Sequence, residues 1–211
     1  SFEAYRLAGK KVPEMKKILE SLPHSTSEDS LNRTVAAAFL AGAAASAHIQ
    51  IDTTQALNTH SNHEKIHLTG QTEFWNKISD LFTLFKKIPY AQGSLFDATT
   101  FYVTSEFART PALNTALGKD HNPFTNSTLI AGRGVQTGKV FGASHVISRK
   151  KTEDQMPLHI GFPYDFKRNE VVRALGVAEA TMIYPENVVA AIRKGMGLPG
   201  NAAKALPGLM K

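Results

Sequence analysis

Thr99-Thr100-Phe101-Tyr102-Val103-Thr104 runs directly into Ser105-Glu106-Phe107-Ala108-Arg109-Thr110-Pro111, and this junction decides which fold to expect. The first six residues are β-branched or aromatic and predict a strand. The phrase that follows carries a carboxylate at Glu106 and a guanidinium at Arg109. In an open α/β sheet, ligands bind beyond the carboxyl ends of strands, so these charges lie where a site is expected. Gly118-Lys119-Asp120-His121 follows in the same polar segment. Asn58-Thr59-His60-Ser61-Asn62-His63-Glu64 follows an earlier apparent strand. Carboxylates and imidazoles delivered from two strand ends point to metal or anion chemistry.

Upstream of the junction, Phe74, Ile78, Leu81, Phe82 and Phe85 recur at steps of three and four. They predict an amphipathic helix over about residues 71–87, ended by Pro89. A polar loop over 53–70 precedes it, and His48-Ile49-Gln50-Ile51-Asp52 reads as a short strand before that. Strand, loop, helix and strand make a β-loop-α-β unit, which implies a parallel pair with a right-handed crossover. Earlier still, Ser25-Thr26-Ser27-Glu28 offers a capping box for an Ala-rich helix from about 28 to 45. Val12, Met15, Leu19 and Leu22 predict another helix, stopped by Pro23.

Downstream, residues 127–131 read as a strand, 139–142 as part of a hairpin, and 148–170 as polar and irregular. Tyr184-Pro185-Glu186-Asn187 opens a helix running to about Gly195. Residues 1–197 read as one α/β domain, and the tail 198–211, rich in Pro, Gly and Ala, as loosely ordered.

The 211 residues are enough to bury a sizeable core, and 42% hydrophobic with 20% charged content is ordinary for a globular chain. No stretch is long and apolar enough to span a membrane; the Ala-rich run 35–47 is too short and carries Gly42 and Ser46. No initiator Met, signal peptide or lipidation motif is seen, as expected for a processed form or a fragment. The absence of cysteine removes disulfides, thiolate metal sites and cysteine nucleophiles. The net charge of +6 favours anionic partners. Its Lys and Arg are scattered singly or in pairs, with no basic stripe interleaved with aromatics, so nucleic acid is not an expected partner.

Three motifs have plain alternatives. Gly132-Arg133-Gly134-Val135-Gln136-Thr137-Gly138 mimics a dinucleotide fingerprint, but its third Gly is one residue late and a β-type sequence follows instead of a helix. It reads as a glycine turn. His63-Glu64-Lys65-Ile66-His67 matches H-E-x-x-H, which on a helix would set His63 and His67 on one zinc with Glu64 as base. The alternative is a polar loop that happens to contain His. Asp120-His121 is a possible ligand pair or a turn, and Glu106 either a site carboxylate or simply the ion-pair partner of Arg109.

Taken together, the Ala-rich helix, the strand, a D-T-H-like phrase at Asn58-Thr59-His60, the amphipathic helix, S-E-F-x-R-T-P and G-x-D-H resemble the domain-of-unknown-function 1501 family. That family belongs with the alkaline-phosphatase and sulfatase-like proteins. The resemblance covers about residues 28–145. It implies an alkaline-phosphatase-like, three-layer α/β/α fold with a mostly parallel sheet, of which this chain is the C-terminal portion. It implies hydrolysis of a phosphate or sulfate ester with a divalent metal (Zn, Mn, Ca or Mg), by a nucleophile outside this chain. It further implies metal held by His60, Glu106 and His121, helped by Asp52 or Asp120, with Arg109 on a small anionic substrate. A periplasmic or exported location is implied in the same way. The sequence departs from the family pattern at Asn58 in place of Asp, Ala108 in place of Gly and Lys119 in place of Arg. Glu106-Phe107 stands where active superfamily members have Asp-His, and Phe binds no metal. The alternatives are a degenerate, non-enzymatic member serving as a ligand-binding or structural protein, and a zinc protease built on His63, Glu64 and His67.

Overall fold

The structure is a computed structural model, describing residues 9–23, 30–55, 57–147, 157–173 and 180–211. The chain divides into two compact units, one of residues 1–57 and 67–99 and the other of 58–66 and 100–211.

The first unit is helical. Helices α1 (Val12–Ser21) and α2 (Ser30–Leu40) pack on each other, and the Arg33 guanidinium donates to the carbonyls of Leu19 and Leu22 at the end of α1. Ala36 and Ala37 are fully buried, because small side chains permit close helix packing. Gly42, at φ +64°, ends this segment in the left-handed region that glycine adopts without strain. The Ser25–Glu28 capping box lies outside the described residues.

Helix α3 (His63–Lys87) contributes its residues from His67 onward to this unit. Ile78, Leu81, Leu84 and Phe85 form its buried stripe, as the periodicity predicts, and Phe39 meets Phe85 edge-on at 6.4 Å. The helix starts eight residues before the predicted Gln71. Its first two turns are polar and largely exposed, so no apolar stripe betrays them, and the reading of His63–His67 as loop is corrected to helix. A small hairpin follows, β1 (Pro89–Tyr90) with β2 (Gly93–Ser94). Then comes α4 (Leu95–Ala98), where Ser94 and Asp97 form a capping box.

The second unit carries the other strands. β3 (Thr100–Val103) pairs with β6 (Leu129–Gly132), β4 (Ala108–Arg109) with β5 (His121–Asn122), β7 (Ser144–Ile147) with β8 (Leu158–Gly161), and β9 (Tyr164–Asp165) with β10 (Glu170–Val171). Among the described residues every sheet has two strands and every pair is antiparallel.

This overturns the expected three-layer α/β/α fold with a mostly parallel sheet. The predicted first strand of the β-loop-α-β unit does not form: residues 48–52 have no strand partner. The second, β3, pairs antiparallel with β6, a strand reached through β4 and β5 and without a helical crossover. Residues 139–142 form no hairpin strand, and the part of 148–170 described here holds β8, β9 and the start of β10.

Helix α5 (Pro185–Gly195) begins where predicted. Val188 and Ala191 on it pack with Tyr164, Leu206 and Leu209 in the core of this unit. The tail, expected to be loose, is built in: Leu206 and Leu209 are 3% and 4% exposed. The Leu206 amide donates to Asn187, Lys211 donates to Gly134, and the Leu209 carbonyl accepts from Gln136. Two leucines spaced within a Pro- and Gly-rich run anchor it, while residues 198–204 stay exposed.

Candidate functional site

The antiparallel register places Arg109 directly opposite His121, so both side chains leave the same face of the β4–β5 pair. Beside it runs the segment 58–62. The Lys119 amide donates to the Thr59 carbonyl (2.8 Å), Asn62 donates to Ala116 (3.2 Å), and His63 donates to Leu117 (2.8 Å). Ser61 and Leu117 form an antiparallel bridge. Gly118 makes this crossing possible: a Cβ there would lie 2.0 Å from the carbonyl carbon and oxygen of His60. The glycine of the G-x-D-H phrase is therefore a backbone-clearance residue.

Four of the side chains singled out in the sequence, His60, Arg109, Asp120 and His121, meet on this scaffold. His60 Nδ1 lies 3.0 Å from an Asp120 carboxylate oxygen. Carboxylates only accept, so Nδ1 carries the hydrogen and Nε2 of the neutral ring is an acceptor. That Nε2 lies 3.0 Å from His121 Nε2. Arg109 Nη1 approaches the same atom at 3.5 Å. Arg109 is held by two other bonds, Nη1 to the Lys119 carbonyl (2.8 Å) and Nη2 to the Asn58 side-chain oxygen. Asn58 is thus a ligand of the guanidinium. Phe107 covers His121, with ring centroids 3.8 Å apart and an interplanar angle of 31°.

Asn114 ties the cluster together, and nothing in the sequence marked it. Its Nδ2 donates to the His60 carbonyl (3.1 Å) and to Asp120 Oδ1 (3.0 Å), while its oxygen accepts from the amides of Ala116 and Gly118. Asn122, next to His121, is fully buried. It accepts from the Phe124 amide and donates to Thr125 and to the His159 carbonyl, which anchors the strand bearing His121.

The electrostatics follow. Hydrogen bonds from His60 and then Asn114 hold the Asp120 carboxyl below the usual carboxylate range. Burial lowers the Arg109 guanidinium from its ordinary value, with Asp120 and Glu106 opposing that shift. Arg109 stays charged. Glu106 is exposed and acts on Arg109 through its charge.

The remaining candidates lie elsewhere. Asp52 belongs to the first unit, where its carboxylate accepts from Gln50. His63, Glu64 and His67 all lie on α3. His63 Nδ1 bonds the Thr59 hydroxyl at 2.6 Å, and Glu73 accepts from the amide and hydroxyl of Thr54.

Two imidazole nitrogens 3.0 Å apart would suit a divalent ion as half of a four-coordinate donor set. Among the described residues, however, no group of three or more His, Asp or Glu is disposed to hold a metal ion. The guanidinium beside His60 adds a positive charge where a metal would add another.

Residues 90–185 match the model of the family Protein of unknown function (DUF1501). The DUF1501 match takes in the Ser105–Pro111 and Gly118–His121 phrases on which the resemblance rested, and it stops short of His60. The family's description names no activity. No curated protein and no solved structure matches the chain. Among the described residues no helix is long and apolar enough to cross a membrane.

Proposed function

We propose that the second unit binds the oxyanion group of a small phosphate or sulfate ester at Arg109 and His121, beside the His60 imidazole. One observation carries this reading. Two imidazole Nε2 atoms and a guanidinium nitrogen meet around one point, with separations of 3.0 and 3.5 Å. The Asp120 carboxylate sits on the opposite edge of the His60 ring, where it orients the imidazole without facing the anion. The Arg109 guanidinium and the His121 Nε2–H are the donors to such oxygens, while the His60 Nε2 lone pair is left to accept a proton. An arriving anion replaces the His60–His121 contact, and His121 Nε2–H turns to the oxyanion.

The chemistry open to such a site is ester hydrolysis. Water attacks the phosphorus or sulfur atom, its proton passes to His60 Nε2, and Asp120 stabilises the imidazolium that forms. The bond to the ester oxygen breaks, and the leaving oxygen takes the proton from the His60 imidazolium, which returns that ring to its neutral form. A second reading, binding without turnover, is favoured by a different observation. Among the described residues no Ser or Thr hydroxyl is bonded to His60 or His121, so no activated nucleophile is assembled in the manner of a Ser–His pair.

Titration calorimetry with inorganic phosphate and sulfate tests the binding, and release of 4-nitrophenol from its phosphate and sulfate esters tests the turnover. Binding that is lost in the Arg109→Ala and His121→Ala variants supports the site. No heat with either anion at millimolar concentration rejects it. Binding without 4-nitrophenol release selects the second reading.

A further inference from the structure

We infer that Asn114 is the positioning residue of this cluster, setting the His60 ring through Asp120. The inference concerns the site proposed above, yet it is stated and tested in the ligand-free protein. Asn114 uses its whole carboxamide. The two donated bonds go to the two things that define the His60 ring: the backbone carbonyl of His60 (3.1 Å) and the Asp120 oxygen that receives its Nδ1–H (3.0 Å). The same oxygen, Oδ1, therefore accepts from both His60 and Asn114. The two accepted bonds close the turn behind Gly118, from the amides of Ala116 (3.0 Å) and Gly118 (2.9 Å).

The consequence is geometric. Asp120 has two oxygens and a rotatable carboxyl group, and its side chain is 43% exposed. By itself it has no reason to present Oδ1 to His60. The Asn114 amide fixes Oδ1 from one side and the His60 carbonyl from the other, which leaves the ring one orientation with Nδ1 facing the carboxylate. Nε2 then faces His121 and Arg109. A carboxylate orienting a histidine through its far nitrogen is a familiar arrangement. Here a carboxamide in turn orients the carboxylate. Asn114 touches neither His60 Nε2 nor His121, so its effect on the site passes through Asp120 and the His60 carbonyl.

The test is imidazole nitrogen NMR of His60 in protein labelled with nitrogen-15, at one pH where the ring is neutral. The wild type shows a single tautomer with hydrogen on Nδ1. Asp120→Asn loses that pattern and gives a mixture. Asn114→Ala also gives a mixture. Amide signals of Ala116 and Gly118 report whether the turn is still formed. Should Asn114→Ala lose them, Asn114→Asp decides: it keeps the acceptor oxygen for both amides and removes both donated hydrogens. It too is expected to lose the single tautomer. Retention of the wild-type pattern in a folded variant overturns the inference. Phosphate affinity, weaker by roughly threefold to tenfold in Asn114→Ala, is read separately. If wild type binds no phosphate, the anion reading falls while the tautomer result still stands or fails alone.

Discussion

Gly118 and His60 touch backbone to backbone. A methyl group on Gly118 would stand 2.0 Å from the His60 carbonyl and 2.4 Å from the Ser61 amide nitrogen, distances that no rotamer change relieves.

Gly118→Ala therefore forces the two segments apart. Overpacking against backbone costs about 3 kcal/mol or more, so the melting temperature should fall by roughly 6 °C or more, and phosphate binding should vanish. Calorimetric melting checks the first effect and titration the second. A variant that melts within a degree or two of wild type contradicts the crossing.

Arg109 has both a charge and a shape. Its two terminal nitrogens reach the Lys119 carbonyl and the Asn58 oxygen, which a lysine ammonium does not do from one position. Arg109→Lys should weaken phosphate binding almost as much as Arg109→Ala, about tenfold, and raising the salt concentration should weaken wild-type binding further. Full affinity in Arg109→Lys would show that charge alone suffices.

Asp120 makes stability depend on acid. Its carboxyl titrates below the ordinary range because His60 and then Asn114 bond its ionised form. An unfolded Asp titrates near 3.9 on average, about where unfolded chains take up the proton. The native state thus binds the proton later. The stabilisation is complete above about pH 5 and is lost as pH falls through the native value. Exposure of 43% and screening keep it under about 1 kcal/mol. Urea unfolding of wild type and Asp120→Asn should show a gap at pH 6 that narrows towards pH 3; an equal gap at both values refutes the assignment.

The C-terminal leucines are structural. Leu206→Ala and Leu209→Ala each remove a side chain that is nearly fully buried, and each should cost about 2–4 kcal/mol. Thermal unfolding measures this, and a cost below half a kilocalorie would return the tail to a loose state.

What the sequence disclosed was local. The stripe of Ile78, Leu81 and Phe85 and the start of the helix at Pro185 were legible because helical periodicity is written in neighbouring residues. His60, Arg109 and Asp120-His121 were legible as chemistry, and they do meet. The sheet was not legible. Thr100–Val103 looks the same whether its partner is parallel or antiparallel, and that partner is Leu129–Gly132, chosen by contacts distant in the chain. Asn114 escaped notice because a carboxamide in a polar loop resembles any turn residue, and only its four bonds distinguish it. Glu106 reads equally as a ligand or as the partner of Arg109 in the sequence, and in the structure it is exposed with its charge acting on Arg109.

The stack of Phe107 on His121 has a spectroscopic consequence. With centroids 3.8 Å apart and planes 31° from parallel, the imidazole protons of His121 lie in the ring current of the phenyl group, which shifts their resonances upfield. Any ligand that draws His121 off the phenyl face moves those resonances back towards ordinary values. The site carries its own optical-label-free reporter, readable in a one-dimensional proton spectrum, and Phe107→Leu would silence it.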